Sequence, residues 1–126
     1  MGIIGSVFTA GEWQDLDDQG TWDGTNNIEK VKFQLEDSPV NSRILYQVKY
    51  WDANAGQWAW TASRADGEEV GIDGNEIYGL HIMLTDFAGV TVWIALKTSN
   101  GWGAAHSSQA DSFNPNFGIS LLIAQP

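Results

Sequence analysis

EIYGLHIML (76–84) alternates. Leu80, Ile82 and Leu84 fall on one side of an extended chain, His81 and Met83 on the other. Two further stretches lie over it without a gap, NIEKVKFQL (27–35) and PNFGISLLI (115–123). Val31 and Ile119 then correspond to Leu80, Phe33 and Leu121 to Ile82, and Leu35 and Ile123 to Leu84. Side-chain direction on a strand has a period of two, so these residues are predicted to share one inward face. Lys32, His81 and Ser120 occupy equivalent positions on the opposite face.

The repetition extends upstream. Each of these closing strands is preceded by an Asp/Asn/Gly turn: WDGTNN (22–27), IDGNE (72–76) and SFNPN (112–116). Before each turn comes a Gly-Trp element, AGEW (10–13), AGQW (55–58) and SNGW (99–102), whose Trp13, Trp58 and Trp102 stand 45 and 44 residues apart. Before those lie the strands IIGSVFT (3–9), ILYQVKYW (44–51) and VTVWIALK (90–97). The chain reads as one all-β domain, 1–126, of three units at about 1–37, 43–86 and 89–126. No unit of about 40 residues buries a face alone, so the three are expected to close around a pseudo-threefold axis. The expected architecture is a β-prism; a β-trefoil, a different pairing of the same strands, is the alternative.

Composition narrows the function. Sixteen acids against six bases give a net charge of −10. A surface this acidic should repel nucleic acid and anionic lipid, whose binding needs clustered Lys and Arg. No apolar run approaches the length of a transmembrane helix, which argues against membrane insertion. MGIIGSVFTAGEW (1–13) lacks a basic start and reads as a first strand rather than a signal peptide. With no cysteine there are no disulfides or thiolate metal sites. Seven tryptophans supply flat apolar faces, each with one N–H donor, suited to a core or to stacking on sugar rings.

The middle unit, YQVKYWDANAGQWAWTASRADGEEVGIDGNEIYGLHIML (46–84), resembles the ChW repeat, the clostridial hydrophobic Trp-bearing repeat of bacterial surface and secreted proteins. Tyr46, Trp58, Trp60, Gly71 and Ile77 through Leu84 carry the resemblance. The first unit keeps Ile28-Glu29 of the closing strand; the third keeps Gly101-Trp102 but has Phe117-Gly118 where the acidic residue should be. The resemblance implies an extracellular or cell-surface binding or adhesion module, without catalysis.

No constellation in the sequence points to an enzyme. Asp15, Asp17, Asp18, Asp23, Asp66, Glu68, Glu69 and Asp73 are available as carboxylate pairs, but no spacing isolates two of them, and solvated turns account for them. His106 with Ser107 or Ser108 lacks a nucleophile elbow. DLDDQG (15–20) and WDANAG (51–56) carry alternating oxygen ligands near Gly. Calcium is therefore the one cofactor left open, against the plainer reading of Asp/Asn hairpin turns. Trp beside Asp and Asn suits a sugar: the ring stacks on the C–H face of a pyranose, and carboxylate and amide groups engage its hydroxyls. The expected partner is a glycan or cell-surface polysaccharide, held at up to three weak sites. The expected contacts are Trp22, Asp23 and Asn26 in the first unit, Trp60, Asp73 and Asn75 in the second, and Trp102, Asn114 and Asn116 in the third. Within AGQWAW, Trp58 is expected to hold the fold and Trp60 to face the ligand. Trp51 and Trp93, predicted outward, equally suit a protein–protein adhesion surface or a homo-oligomer contact.

Overall fold

The computed structural model describes residues 2–39, 41–86 and 90–124; Met1, Gly89, Gln125 and Pro126, at the outer limits of the first and third units, lie outside them. All helical and strand structure among the described residues is strand. The first unit contributes β1 (Gly2–Thr9), β2 (Glu12–Asp15), β3 (Thr21–Asp23) and β4 (Ile28–Glu36). The second contributes β5 (Arg43–Asp52), β6 (Gln57–Trp60), β7 (Arg64–Ala65), β8 (Val70–Gly71) and β9 (Gly79–Thr85). The third contributes β10 (Thr91–Thr98), β11 (Gly101–Trp102), β12 (His106–Ser107), β13 (Gln109–Asp111) and β14 (Gly118–Ala124).

Three antiparallel sheets result, with the strand paths β2-β1-β4-β8, β6-β5-β9-β13 and β11-β10-β14-β3. In each, a hairpin opens the sheet, the closing strand follows, and the last place is filled by a short strand from another unit. The exchange runs in a ring: the first unit lends β3 to the third, the third lends β13 to the second, and the second lends β8 to the first. The two-residue turn of the first hairpin is built on Ala10 and Gly11, both at positive φ (50° and 81°), the backbone that matches strand twist.

The inward faces meet in one core. Val31, Phe33, Leu80, Ile82, Ile119 and Leu121 are buried, and Leu35, Leu84 and Ile123 pack against them, as the alternation predicts. Opposite them on the opening strands, Val7, Val48 and Leu96 pair with Val31, Leu80 and Ile119. The lent strands supply one core residue each, with Val70 beside Val31, Ala110 beside Leu80 and Trp22 beside Ile119. Where the first two sheets meet, Tyr46 packs edge-on against Phe33 at 5.0 Å between ring centroids. Its hydroxyl donates to the Glu68 carbonyl, and burial pushes its phenol pKa up. Ile82, fully enclosed, has no room to be replaced by a smaller residue without a cavity. Ile82→Ala should cost about 2–5 kcal/mol of stability. A near-neutral result in chemical unfolding would mean that this face does not form the core.

The sheet register revises one expectation. Phe8, Lys49 and Lys97 occupy the same place, opposite Lys30, Gly79 and Gly118 of the closing strands. Their hairpin partners are Trp13, Trp60 and Trp102. Trp60, not Trp58, is thus the counterpart of the other two. The middle hairpin pairs out to Asp52 and Gln57, two residues beyond the other two on each arm, and this displaces its Gly-Trp element. None of Trp13, Trp58 and Trp102 belongs to the central core.

Candidate functional site

Across the outer face of each sheet runs one row of four residues. The rows are Trp13–Phe8–Lys30–Gly71, Trp60–Lys49–Gly79–Asp111 and Trp102–Lys97–Gly118–Asp23. Each contains a tryptophan, a lysine and a glycine. The glycine is where the lysine lies down: a Cβ at Gly79 would come within 3.2 Å of Lys49 Cβ, and one at Gly118 within 2.7 Å of Lys97 Cβ. Each ammonium then reaches a carboxylate brought by the lent segment. Lys49 meets Asp111 at 3.6 Å, Lys97 meets Asp23, and Lys30 meets Asp73 at 2.9 Å and Glu69 at 3.4 Å. Lys97 also donates to the Gly24 carbonyl at 3.1 Å. The hydrogen bond to Asp73 raises the Lys30 pKa. In the first row Lys and Gly have each moved one strand along, so the acid comes from Asp73, two residues past Gly71. All three ion pairs bridge different units, and an aromatic ring lies against each ammonium: Phe8 at 4.6 Å, Trp58 at 4.8 Å and Phe117 at 5.2 Å.

Several expected ligand contacts are redirected by the strand exchange. Trp22 is only 9% exposed, belongs to the core, and donates its indole N–H to Gln14 Oε1 at 3.0 Å. It is not a surface platform, because β3 turns it inward beside Ile119. Asn116 is 0% exposed, its amide donating to Ser112 Oγ at 2.9 Å, so it braces a loop instead of meeting solvent. Asp73 and Asn75 do not join Trp60: β8 carries them to the first sheet, where Asp73 holds Lys30. Asp23 likewise stands in the Trp102 row, away from the core side of Trp22, and Asn26 is exposed in the turn that follows. In each of the two loops left open to calcium, one aspartate oxygen accepts from the loop backbone. Asp17 Oδ1 accepts from Gln19 and Thr21 N–H, and Asp52 Oδ1 from Asn54 and Ala55 N–H.

Trp58 does support structure, though on the outer face. It packs edge-on against Trp51 (5.1 Å), Tyr78 (4.6 Å) and Phe113 (6.2 Å), above Lys49. Trp60 is less engaged; among the described residues its one aromatic neighbour is His81, at 6.5 Å. Beside it, His81 Nδ1 and Gln47 Oε1 are 3.0 Å apart, and Gln47 Nε2 donates to the Thr61 carbonyl. Trp13 is covered by Lys32, whose ammonium stands 4.2 Å over the ring.

Trp102 is the most open of the row tryptophans, at 41% exposure. It borders a hollow of about 250 Å³ that also takes in Asn100, His106, Asp111, Ser112 and Asn114. Of the predicted contacts, Trp102 and Asn114 both line this hollow. The loop behind them is pinned: Ser112 Oγ lies 2.7 Å from the Asn114 carbonyl and 3.0 Å from that of Tyr78, and Asn116 backs both residues. Family models, curated proteins and solved structures give no match to this chain. The site therefore stands on its own residues. Sequence reasoning did not place Asn100, His106 or Asp111 at a ligand site; they reach the hollow from the β10–β11 turn, β12 and β13. It also missed the lysine rows, although Tyr78-Gly79 and Phe117-Gly118 hold the same place in two closing strands and marked them.

Proposed function

We propose that this chain is a non-catalytic, lectin-like carbohydrate-binding module, a β-prism of three ChW-like units with up to three weak sites. The observation that carries the reading is the repeated row: a tryptophan on each outer face, beside a lysine–carboxylate pair that fixes the local polar groups. Pairing of each unit's two long strands within its own sheet favours the prism over the trefoil. Carboxylates already committed to lysines, Arg43, Ser6 and backbone N–H groups favour binding over hydrolysis. Shallow sites of this kind bind weakly one at a time and act through avidity on a polysaccharide or cell surface.

A glycan array with and without EDTA tests the reading. A defined set of neutral glycans should be retained, and the EDTA arm tells whether calcium contributes. Trp60→Ala should weaken multivalent retention while leaving the circular dichroism spectrum intact, because the indole lies outside the core. Retention of no glycan at all, or retention unchanged in both Trp60→Ala and Trp102→Ala, would overturn it. A second reading, a protein–protein adhesion module or homo-oligomer, is favoured by Trp93, 38% exposed and directly across from exposed Leu122, with Trp51 likewise exposed. It predicts capture of a protein partner or self-association that Trp93→Ala abolishes.

A further inference from the structure

We infer that the Trp102 hollow is the principal sugar site of the three, and that it takes a single uncharged pyranose, such as the terminal residue of a glycan, while excluding acidic sugars; this rests on the carbohydrate reading above. Three observations separate this hollow from the other two rows. The first is access. Lys32 covers Trp13, and Trp60 is half-buried beside His81, whereas Trp102 is exposed at the border of a concavity.

The second is size. About 250 Å³ falls below the ~300–1,000 Å³ of pockets for drug-sized ligands, which suits one ring with its neighbours left in solvent. The third is charge. Neither lysine nor arginine lines the hollow, and the nearby Lys49 is already paired with Asp111, so no free cation is offered to a uronate or sialate carboxylate there. Asp111 is its one acid, oriented by Lys49 at 3.6 Å and by the Gln109 amide at 3.2 Å. A second carboxylate brought beside it meets like charge, which costs affinity.

The polar groups remaining suit hydroxyls. Asn100 and Asn114 each offer an amide with donors and an acceptor, Asp111 accepts, and the Trp102 ring supplies the stacking face. Asn116 acts one layer behind: it holds Ser112 and through it the Asn114 backbone, so it is a positioning residue with no ligand contact.

The experiment is ligand-observed NMR on the full chain, with the methyl glycosides of glucose, galactose, mannose and N-acetylglucosamine, and with methyl glucuronide. At least one neutral glycoside should bind in the millimolar range and methyl glucuronide should not. Trp102→Ala should weaken the neutral ligand about tenfold or more, and Asn114→Ala several-fold. Asp111→Asn, checked for folding by circular dichroism, should admit the glucuronide. Trp102→Ala and Asn114→Ala carry the test independently, since neither residue is in the core. Glucuronide binding equal to the neutral sugars would overturn the inference. So would neutral binding that survives Trp102→Ala but is lost in Trp60→Ala, and that result would leave the carbohydrate reading standing. Absence of any sugar binding, here and on the array, removes both.

Discussion

Trp22→Ala should lower the free energy of unfolding by about 3–5 kcal/mol, the usual range for deleting a buried large aromatic side chain. Trp22 fills the place that Val70 and Ala110 fill in the other two lent strands, beside Ile119, and is the largest of the three. Its indole N–H is bonded to Gln14, so truncation leaves both a void and an amide oxygen without its donor. The neighbouring backbone is shaped around the ring: a Cβ on Gly24 would run into its six-membered edge. Chemical denaturation measures the cost. Sugar binding by the folded fraction should be unchanged, since the ring faces the core. A near-neutral Trp22→Ala, or one that abolishes binding without loss of stability, would return Trp22 to the surface role that its place before an Asp-Gly turn suggests.

Gly71→Ala should cost about 3 kcal/mol or more, from two sources that add at one residue. Its φ of 130° is one that L-residues rarely adopt, and an added Cβ would collide with the Glu29 carbonyl oxygen and stand 2.8 Å from Lys30 Cα. The crowding follows from the inverted first row. Lysine sits there on the closing strand, so the lent strand beside it must be the one without a side chain. Gly74 is the control. Its φ of 82° is also positive, but nothing lies within 4 Å of its would-be Cβ, so Gly74→Ala should cost only about 1–2 kcal/mol. Equal costs at the two positions, measured by thermal and chemical unfolding, would show that close approach to β4 plays no part.

The long closing strands were legible in the sequence because their alternation spans up to nine residues and recurs three times. Their inward faces coincide with the core. The lent strands were not legible. β3, β8 and β13 are two or three residues long, too short to show a period, and their partners lie in other units. That one gap explains the misplaced contacts: Asp73 and Asn75 were assigned to Trp60 because they share its unit, while the strand exchange gives them to the first sheet. Trp58 was aligned with Trp13 and Trp102 by sequence interval, but hydrogen-bond register decides equivalence, and two added residues per hairpin arm shift it to Trp60. Asn116 carries a polar side chain that looks suited to solvent. It is buried because a tight loop can use an amide as its own internal brace.

The central claim, sugar recognition by the outer-face tryptophans, can be read from the indole N–H resonances in a two-dimensional NMR titration. Seven tryptophans give seven reporters, assigned by single substitutions. On adding the neutral glycan selected by the array, the Trp102 signal should move first and furthest, Trp60 should follow at higher concentration, and buried Trp22 should stay still. Saturation of the array-selected glycan with no movement at Trp102 or Trp60 would contradict the account.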